Sequence, residues 1–333
     1  MVVSAPGKRF DGDDKVTDLL INVAQRSCPL SLHSVLMRFW QIISDLGLNT
    51  EVFENIKNDL LARLALRLKL TADRFLDLII TSGEDITAKL AAAYFISQGV
   101  SAAYINPAEC GLILSDKNKK IKFCPSSYKR LSSISALDKI VVFPGFFGAN
   151  KNGEIIAFDR GGSDITGAIL AASLNACLYE NYTDVNGVYA ACPMTVNSPI
   201  AVPQITYQEM ECLARGGFNV LHQDALAPLA RKQIPLIIKN AAGFGNETLV
   251  TKYRDVSKCP IAGIAGKILR RKGVLTVAGE GLPSDASVRA AAALKTANIH
   301  YSLLTRDKIS LTIHVPPTHV STAVNILYKC FFL

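Results

Sequence analysis

The segment 138–176 reads DKIVVFPGFFGANKNGEIIAFDRGGSDITGAILAASLNA, and it decides the fold. It opens on a short run of β-branched and aromatic residues, passes through glycine turns and ends in an alanine-rich stretch with helical spacing, which predicts a strand, a turn and a helix. The same order is predicted for FLDLIITSGEDITAKLAAAYFISQG at 75–99, and again around 181–191 and 234–243. Strands that alternate with helices predict an α/β fold, in which helices sandwich a mainly parallel sheet and ligands bind at the carboxyl ends of its strands.

Two further regions have a different pattern. From 37 to 70 apolar residues recur every three or four positions around one glycine-containing break, which predicts a helical hairpin. After Pro260 the sequence predicts a strand, a helix, two strands that turn at Arg306 and Asp307, and a helix, which together form a small separate module. The predicted domains are therefore a large α/β domain over 1–255, with a helical insertion at about 33–70, and a small domain over 260–333.

Composition narrows the class of protein. The 333 residues are 49% hydrophobic with a mean hydropathy of +0.24, and charges interrupt every apolar run before the roughly 20 residues that a membrane span needs. The first ten residues lack a secretion signal, so the cytoplasm is the expected location. The net charge of +8 suits an anionic ligand such as a nucleotide, but no basic cluster interleaved with aromatics favours nucleic acid. The eight scattered cysteines are expected to be reduced, mostly buried thiols.

The motif RGGSD at 160–164 opens the helix predicted at the end of the first segment. Its glycines let the backbone approach a ligand, and Ser163 and Asp164 are predicted to cap the helix. Arg160 adds a cation beside a helix N terminus, which is a favourable place for a phosphate or carboxylate. Taken alone, the motif fits an ordinary glycine turn equally well.

Other candidate binding residues lie in similar turns. Glu84 falls in the first turn of a predicted helix, where it could bind a substrate ammonium or act only as an acid that favours the helix dipole. Thr183 and Asp184 precede a flexible Asn-Gly pair that could grip a ribose or a base edge, and Lys239 ends an apolar strand, where a cation is unusual. The loop PGFFGANKNG at 144–153 is a candidate phosphate or substrate loop, although a structural hairpin fits it as well.

No Ser-His-Asp arrangement can be derived from the sequence. A carboxylate acceptor would need none, because its pKa of about 4 leaves it an ionised nucleophile at neutral pH. Phosphorylation of a carboxylate requires positioning and charge neutralisation instead, which the residues above could supply.

Taken together and in order, these segments resemble the aspartate kinases of the amino-acid kinase family, especially the form common in Gram-positive bacteria. The resemblance runs through VVSAPGK, KVTDLL, TSGEDITAKLAAAY, VVFPGFFG, FDRGGSDITGAILAA, YENYTDVNGV, ITYQEMECLARGGFNVLHQDAL and IPLIIKN. It implies ATP-dependent phosphorylation of the L-aspartate β-carboxylate to 4-phospho-L-aspartate, the first step of lysine, threonine and methionine biosynthesis. Mg²⁺ would bridge the ATP phosphates rather than sit in a dedicated protein cage.

The resemblance also implies roles for individual residues. Thr17, Glu84 and Arg160 would hold aspartate, with Glu84 near its amino group and Arg160 forked onto a carboxylate. Ser163 and Asp164 would organise the reaction centre.

A second group of residues is implied to bind the nucleotide. Thr183, Asp184 and Lys239 would contact ATP, and Tyr189 would lie near its base. At 192–194 the chain has Cys-Pro-Met where many relatives carry an acid and a base around the proline, so the same nucleotide contacts are not expected there.

Two family features are expected to be absent. The family opens with a strand carrying Lys-Phe-Gly-Gly, whose lysine neutralises the transferring phosphoryl group; this chain is expected to begin after that strand, and Lys8 belongs to the next family segment. The family also carries two ferredoxin-like ACT modules that bind a regulatory amino acid. Here IAGIAGK resembles the start of the first and leads almost directly into the second, so most of one module is expected to be missing.

The resemblance leaves three functions open. Aspartate kinase is the leading interpretation, and because ACT modules usually pair, a homodimer through the C-terminal domain is expected. Another amino-acid kinase, such as a glutamate kinase, is one alternative. A non-catalytic or truncated homologue that acts through its ACT domain is the other.

Overall fold

The computed structural model describes residues 1–26, 28–116, 121–218, 220–243 and 245–333. They form two compact units, Met1–Leu174 and Asn175–Leu333. The predicted division into domains at 1–255 and 260–333 stays a prediction. Within the described ranges, no helix combines the length and the apolar character that crossing a bilayer requires.

The first unit combines a helical N-terminal region with a parallel sheet. Its elements are β1 (Val2–Val3), α1 (Val16–Arg26), α2 (Pro29–Asp45), α3 (Thr50–Leu64), α4 (Ala72–Ile80), α5 (Ser82–Ser97), β2 (Ala102–Tyr104), β3 (Leu114–Ser115), β4 (Lys122–Phe123), α6 (Ser127–Leu131), β5 (Ile140–Pro144), β6 (Phe147–Ala149), β7 (Ile155–Ala157) and α7 (Gly162–Ser173). The strands β1, β5 and β2 pair in that order and run parallel. Helix α5 packs on β2 and β5, and α7 packs on β1, so the predicted α/β fold is confirmed.

The helical hairpin predicted over 37–70 is confirmed. Helix α2 ends at Asp45 and α3 begins at Thr50, with Asn49 accepting a hydrogen bond from the Glu51 N–H as the cap of α3. Gly47 takes a φ of +64° in the intervening turn, a conformation that glycine adopts without steric cost. Apolar side chains from all five N-terminal helices form one core, which positions α5 against the sheet.

The strand predicted for the apolar run 75–80 is wrong, because this run lies in α4. Phe75 and Ile79 are four residues apart and both buried, at 4% and 0% exposure, so the run has one buried helical face. The Thr71 side chain caps the helix by accepting from the Arg74 N–H. A short, mainly apolar run fits either a strand or a buried helix. Here the preceding threonine cap and the packing on the helical core decide for the helix.

The second unit contains two larger sheets. Its elements are β8 (Tyr179–Thr183), β9 (Val188–Tyr189), β10 (Ala201–Val202), β11 (Gln204–Thr206), α8 (Tyr207–Gly216), α9 (Gln223–Lys232), β12 (Leu236–Asn240), β13 (Thr248–Thr251), β14 (Gly263–Leu269), β15 (Lys272–Ala278), α10 (Ala286–Thr296), β16 (Leu303–Arg306), β17 (Ser310–Val315) and α11 (Val320–Phe332). One sheet has the order β11-β13-β12-β8, with β8 parallel to β12. The strands predicted around 181–191 and 234–243 are confirmed, but short strands follow them rather than helices.

The predicted C-terminal module is confirmed as a sheet with two helices. Its strands have the order β14-β15-β17-β16 and all neighbours are antiparallel. Strands β15, β17 and β16 together with α10 and α11 have the split β-α-β arrangement of a ferredoxin-like fold. The preceding strand β14, joined to β15 by a turn at Arg270 and Arg271, completes the edge of this sheet.

The cysteines differ from the expectation of mostly buried thiols. All eight are free; Cys177 and Cys192 are exposed and the other six are partly exposed. Several of them lie at helix ends or in loops, which remain partly open to solvent. None of the eight forms a disulfide, which agrees with their scattered positions.

Candidate active site

The candidate site in the first unit lies at the carboxyl ends of the parallel strands. Val3 of β1 pairs with Pro144 of β5, and the Gly145 N–H donates to the Val3 carbonyl at 2.9 Å. Because both strands end at the same edge, the loops that follow them leave side by side. This is where ligands bind in such sheets.

Close backbone approach joins the loop after β5 to the start of α7. A Cβ at Gly145 would lie 2.5 Å from Ser163 Oγ and 2.7 Å from Ser163 Cα, and a Cβ at Gly162 would lie 2.7 Å from Phe146 Cα. Only glycine fits at either position without displacing the other segment. Phe146 itself takes a left-handed φ of +74°, a conformation that a bulky residue adopts only when its surroundings hold it there. The PGFFG and RGGSD motifs therefore pack directly against each other.

The start of α7 differs from the capping prediction. Gly161 is the N-cap, with a left-handed φ of +60°, and no side chain caps the helix. Ser163 and Asp164 lie within the first turn, as the second and third helical residues. The predicted capping by these two side chains is therefore wrong, because the left-handed glycine starts the helix earlier. The first N–H groups of a helix have no partner within it, so this end remains suited to an anion.

Glu84 is the third residue of α5, and it lies beside the loop that follows β1. Its side chain is 6% exposed, and Oε2 is buried without a hydrogen-bond partner among the described residues. Burial raises its pKa to about 7, although hydrogen bonds from the backbone N–H groups of Ala5 and of Glu84 itself partly oppose the change. A buried carboxylate oxygen without a donor is costly unless a ligand supplies one. The site thus presents an acceptor for an external donor or cation.

Thr17 and Arg160 are the other predicted substrate residues in this unit. Thr17 is the second residue of α1, whose first N–H, from Val16, donates to the Pro6 carbonyl at 3.2 Å. Arg160 is exposed and lies directly before the cap of α7. Within the described part of the chain, neither side chain hydrogen-bonds to Glu84. The structure therefore connects Glu84 and Ser163 through adjoining loops, and it leaves the substrate roles of Thr17 and Arg160 as predictions.

A buried charged cluster next to Glu84 was not foreseen from the sequence. Asp85 is fully buried and accepts from Arg63 at 2.5 Å, from Lys89 at 2.8 Å and from the Tyr104 hydroxyl. Arg63 and Lys89 also contact Asp59, at 3.1 Å and 2.9 Å. The only sequence signal was the pair of adjacent acids, Glu84 and Asp85, at a helix start.

In the second unit, the predicted nucleotide residues lie at the carboxyl ends of β8 and β12. Thr183 pairs with Asn240 in the parallel register, and the Ala241 N–H donates to the Thr183 carbonyl at 2.8 Å. Thr183 Oγ1 lies 3.1 Å from Asp184 Oδ1. Lys239, one residue before the end of β12, therefore lies on the strand next to Thr183.

The Lys239 ammonium is already paired. Its Nζ lies 2.5 Å from Glu180 Oε1 and 3.6 Å from Glu247 Oε1. The hydrogen bond to Glu180 is the main reason that the pKa of Lys239 is raised, so the side chain stays charged. A nucleotide phosphate would have to compete with these carboxylates, and the nucleotide role of Lys239 stays a prediction.

Asn186 of the predicted Asn-Gly pair and Asn240, which sequence reasoning missed, connect the loops beside this edge. Asn240 Nδ2 donates to Asn186 Oδ1 at 2.5 Å, and a Cβ at Gly187 would lie 2.8 Å from Thr248 Oγ1. In the sequence, the Asn-Gly pair at 186–187 was the signal for this contact. Tyr189 lies on β9, which pairs with β10 in a separate two-stranded sheet, and no hydrogen bond joins it to Lys239 within the described residues.

The sequence and the fold were compared with those of known proteins. The model of the amino acid kinase family matches residues 3–240. Aspartokinase 3 of Bacillus subtilis is 43% identical over 271 residues, which are 80% of this chain and 60% of that protein. Aspartokinase 1 of the same organism is 31% identical over 195 residues, which are 57% of this chain and 48% of that protein. The chain thus spans about half to three fifths of the length of these relatives.

Solved structures show the same fold. Clostridium acetobutylicum aspartate kinase matches with a TM-score of 0.78 at 23% identity, covering 99% of this chain and 92% of that one. E. coli aspartokinase III in complex with aspartate and ADP matches with a TM-score of 0.76 at 16% identity, covering 100% and 92%. The family match covers most of the chain and agrees with the parallel strands, the glycine-rich loops and the helix start described above. The chain belongs to the amino acid kinase family.

Proposed function

We propose that the protein is an aspartate kinase, which transfers the γ-phosphoryl group of ATP to the β-carboxylate of L-aspartate and forms 4-phospho-L-aspartate. The observation that carries this proposal is the buried Glu84 carboxylate, whose Oε2 has no donor in the described chain. The α-ammonium of an amino acid supplies both the donor and the positive charge that this oxygen lacks. The 43% identity to Aspartokinase 3 favours aspartate as that amino acid.

The residues of the first unit have distinct roles in the proposed reaction. Glu84 holds the ammonium, and Arg160, exposed and without an ion pair in the described chain, forks onto a substrate carboxylate. Thr17 adds a polar contact to aspartate. The N–H groups at the start of α7, around Ser163 and Asp164, stabilise negative charge as the phosphoryl group transfers. The acceptor carboxylate is already ionised, so no general base is required.

The nucleotide is proposed to bind at the carboxyl ends of β8 and β12. Thr183, Asp184 and Lys239 would contact ATP, with Tyr189 near the base. No three His, Cys, Asp or Glu side chains are grouped to hold a metal ion within the described residues. Mg²⁺ of the kinase type is proposed to be held by the nucleotide phosphates and at most one or two carboxylates. When bound, it would neutralise charge on the phosphates.

An acceptor-specific assay tests the proposal. Purified protein with MgATP is expected to release ADP on addition of L-aspartate, and hydroxylamine should trap the acyl phosphate product as a hydroxamate. L-Glutamate serves as the matched acceptor, longer by one methylene. ADP release with glutamate and none with aspartate would reject the proposal in favour of a glutamate kinase. Calorimetric binding of aspartate without any ADP release would favour the non-catalytic homologue.

We further propose that the chain works in the cytoplasm, where the ATP that it consumes is available, as a homodimer that pairs through the C-terminal module over 260–333. That module has an antiparallel sheet with β14 and β16 at its edges, and edge strands are common places for chains to associate. Sedimentation should give a dimer mass. A monomer at every concentration would contradict the proposed assembly and leave the catalytic proposal unaffected.

A further inference from the structure

The first turn of α5 carries two adjacent acids with opposite surroundings. Glu84 has an oxygen with no donor among the described residues, whereas Asp85 is fully buried and paired with Arg63, Lys89 and Tyr104. These partners come from α3, α5 and the end of β2. Asp85 therefore fixes the first turn of α5 to two other elements.

Arg63 is the partner that reaches this turn from the helical hairpin. It lies in the last turn of α3, 16% exposed, and donates to Asp85 at 2.5 Å, to Asp59 at 3.1 Å and to Ser82 Oγ at 3.3 Å. Burial alone would lower the pKa of Arg63, but Asp85 and Asp59 outweigh it and raise the pKa, so the guanidinium stays charged. Two cations and two carboxylates make the cluster neutral, which a buried ionic group requires.

Among the described residues, other side-chain hydrogen bonds at the start of α5 include those of Lys89 and the Tyr104 hydroxyl to Asp85, and that of the Ser82 hydroxyl to the Leu78 carbonyl. Thr81 is the N-cap residue of α5 but makes no capping hydrogen bond, because its hydroxyl donates back to the Asp77 and Leu78 carbonyls of α4. The Glu84 carboxylate accepts hydrogen bonds from the backbone N–H groups of Ala5 and of Glu84 itself. The direction of the Glu84 carboxylate thus depends on where the first turn lies, and Arg63 contacts both Ser82 and Asp85 of that turn.

We infer that Arg63 is a positioning residue for Glu84: from α3 it holds the first turn of α5 so that the free Glu84 oxygen faces the ligand ammonium. The inference rests on the proposed function for the identity of that ligand. It gives the helical hairpin an indirect part in substrate binding, through the first turn of α5. Because Arg63 acts through Asp85 and Ser82, removing it should change amino-acid affinity more than turnover.

The test compares Arg63→Met with the matched variant Arg67→Met. Arg67 follows α3 and anchors the same hairpin, but it donates to the Ala24 carbonyl at 2.7 Å rather than to α5. The Arg63 variant is expected to raise the KM and Kd for aspartate at least about tenfold, with kcat and the KM for ATP changed less than about threefold. The Arg67 variant should leave aspartate affinity within about twofold of wild type. Equal effects of the two variants, or an unchanged Kd in folded Arg63→Met, would overturn the inference.

Two additions keep the test decisive. If Arg63→Met does not fold, Arg63→Lys replaces it in the test. Lysine keeps the charge but cannot reach Asp59, Ser82 and Asp85 together, so aspartate affinity should still fall by about threefold or more. Unchanged affinity would overturn the inference. Carbon NMR of ¹³C-glutamate-labelled protein, with Glu84→Gln assigning the signal, needs no substrate. A Glu84 signal that is identical in wild type and both Arg63 variants would reject positioning. Absence of aspartate binding by wild type would instead reject the proposed function.

Discussion

Glu84→Gln is expected to weaken aspartate binding while it stabilises the free protein. Glutamine keeps the shape of the side chain and an oxygen that accepts from the Ala5 N–H, but it removes the charge. Most substitutions at buried positions destabilise a protein. A gain in stability combined with a loss of affinity is therefore a signature of a carboxylate kept for a ligand.

The stability gain follows from the pKa of Glu84, which rises from 4.5 to about 7 in the folded protein. The folded state binds this proton more tightly than the unfolded chain does, so the carboxyl group increasingly destabilises the fold as the pH rises from 4.5 to about 7. Above this window the cost is complete, at about 3 kcal/mol, from roughly 1.4 kcal/mol per unit of pKa. The Tm of Glu84→Gln should exceed that of wild type at pH 8, and the difference should shrink toward pH 5.

The affinity loss comes from removing one member of a buried charge pair. Such a removal costs roughly 2–4 kcal/mol, or about 30- to 900-fold in Kd for aspartate. Isothermal titration at pH 8 measures the affinity, and scanning calorimetry on the same samples measures the Tm. Glu54→Gln, at an exposed acid on α3, is the control and should change neither value. A lower Tm with aspartate affinity within about threefold of wild type would show that Glu84 is only structural.

Three further predictions use other parts of the structure. The affinity of wild-type protein for aspartate should fall as the pH drops through about 7, because the Glu84 carboxyl takes up a proton; an affinity constant across that range, in a calorimetric pH series, would contradict the role of Glu84. Gly145→Ala places a methyl group 2.5 Å from Ser163 Oγ at the start of α7 and should lower kcat/KM at least about tenfold. Gly7→Ala is the control; its methyl group enters open space and should leave kcat/KM unchanged. Arg254→Met leaves the fully buried Glu209 carboxylate without its ion-pair partner and should lower the free energy of unfolding by about 3–5 kcal/mol, measured by urea denaturation. Arg215→Met breaks an exposed ion pair and should lower it by less than about 1 kcal/mol. Similar losses in the two variants would refute this reasoning.

Local patterns predicted most of the elements. Helical spacing gave the hairpin of α2 and α3, and the order of strands and helices gave the C-terminal module. The run at 75–80 was wrongly predicted as a strand because a short, mainly apolar run fits both structures, and only packing on the helical core decides between them. The capping prediction at 160–164 failed for a related reason. The left-handed Gly161 starts the helix, and backbone conformation at a glycine is set by its neighbours in space.

By itself, the sequence determined the α/β class, the glycine-rich turns and the candidate residues Glu84, Arg160 and Ser163, because each depends on neighbours within a few positions along the chain. Tertiary structure alone decided that Gly145 packs on Ser163, that Arg63 reaches Asp85 from 22 positions away, and that one oxygen of Glu84 is buried without a donor in the described chain. Hydrogen-bond satisfaction and burial depend on which segments meet in space. No local pattern encodes them, and they are what turn an acid at a helix start into a candidate ligand for an ammonium group.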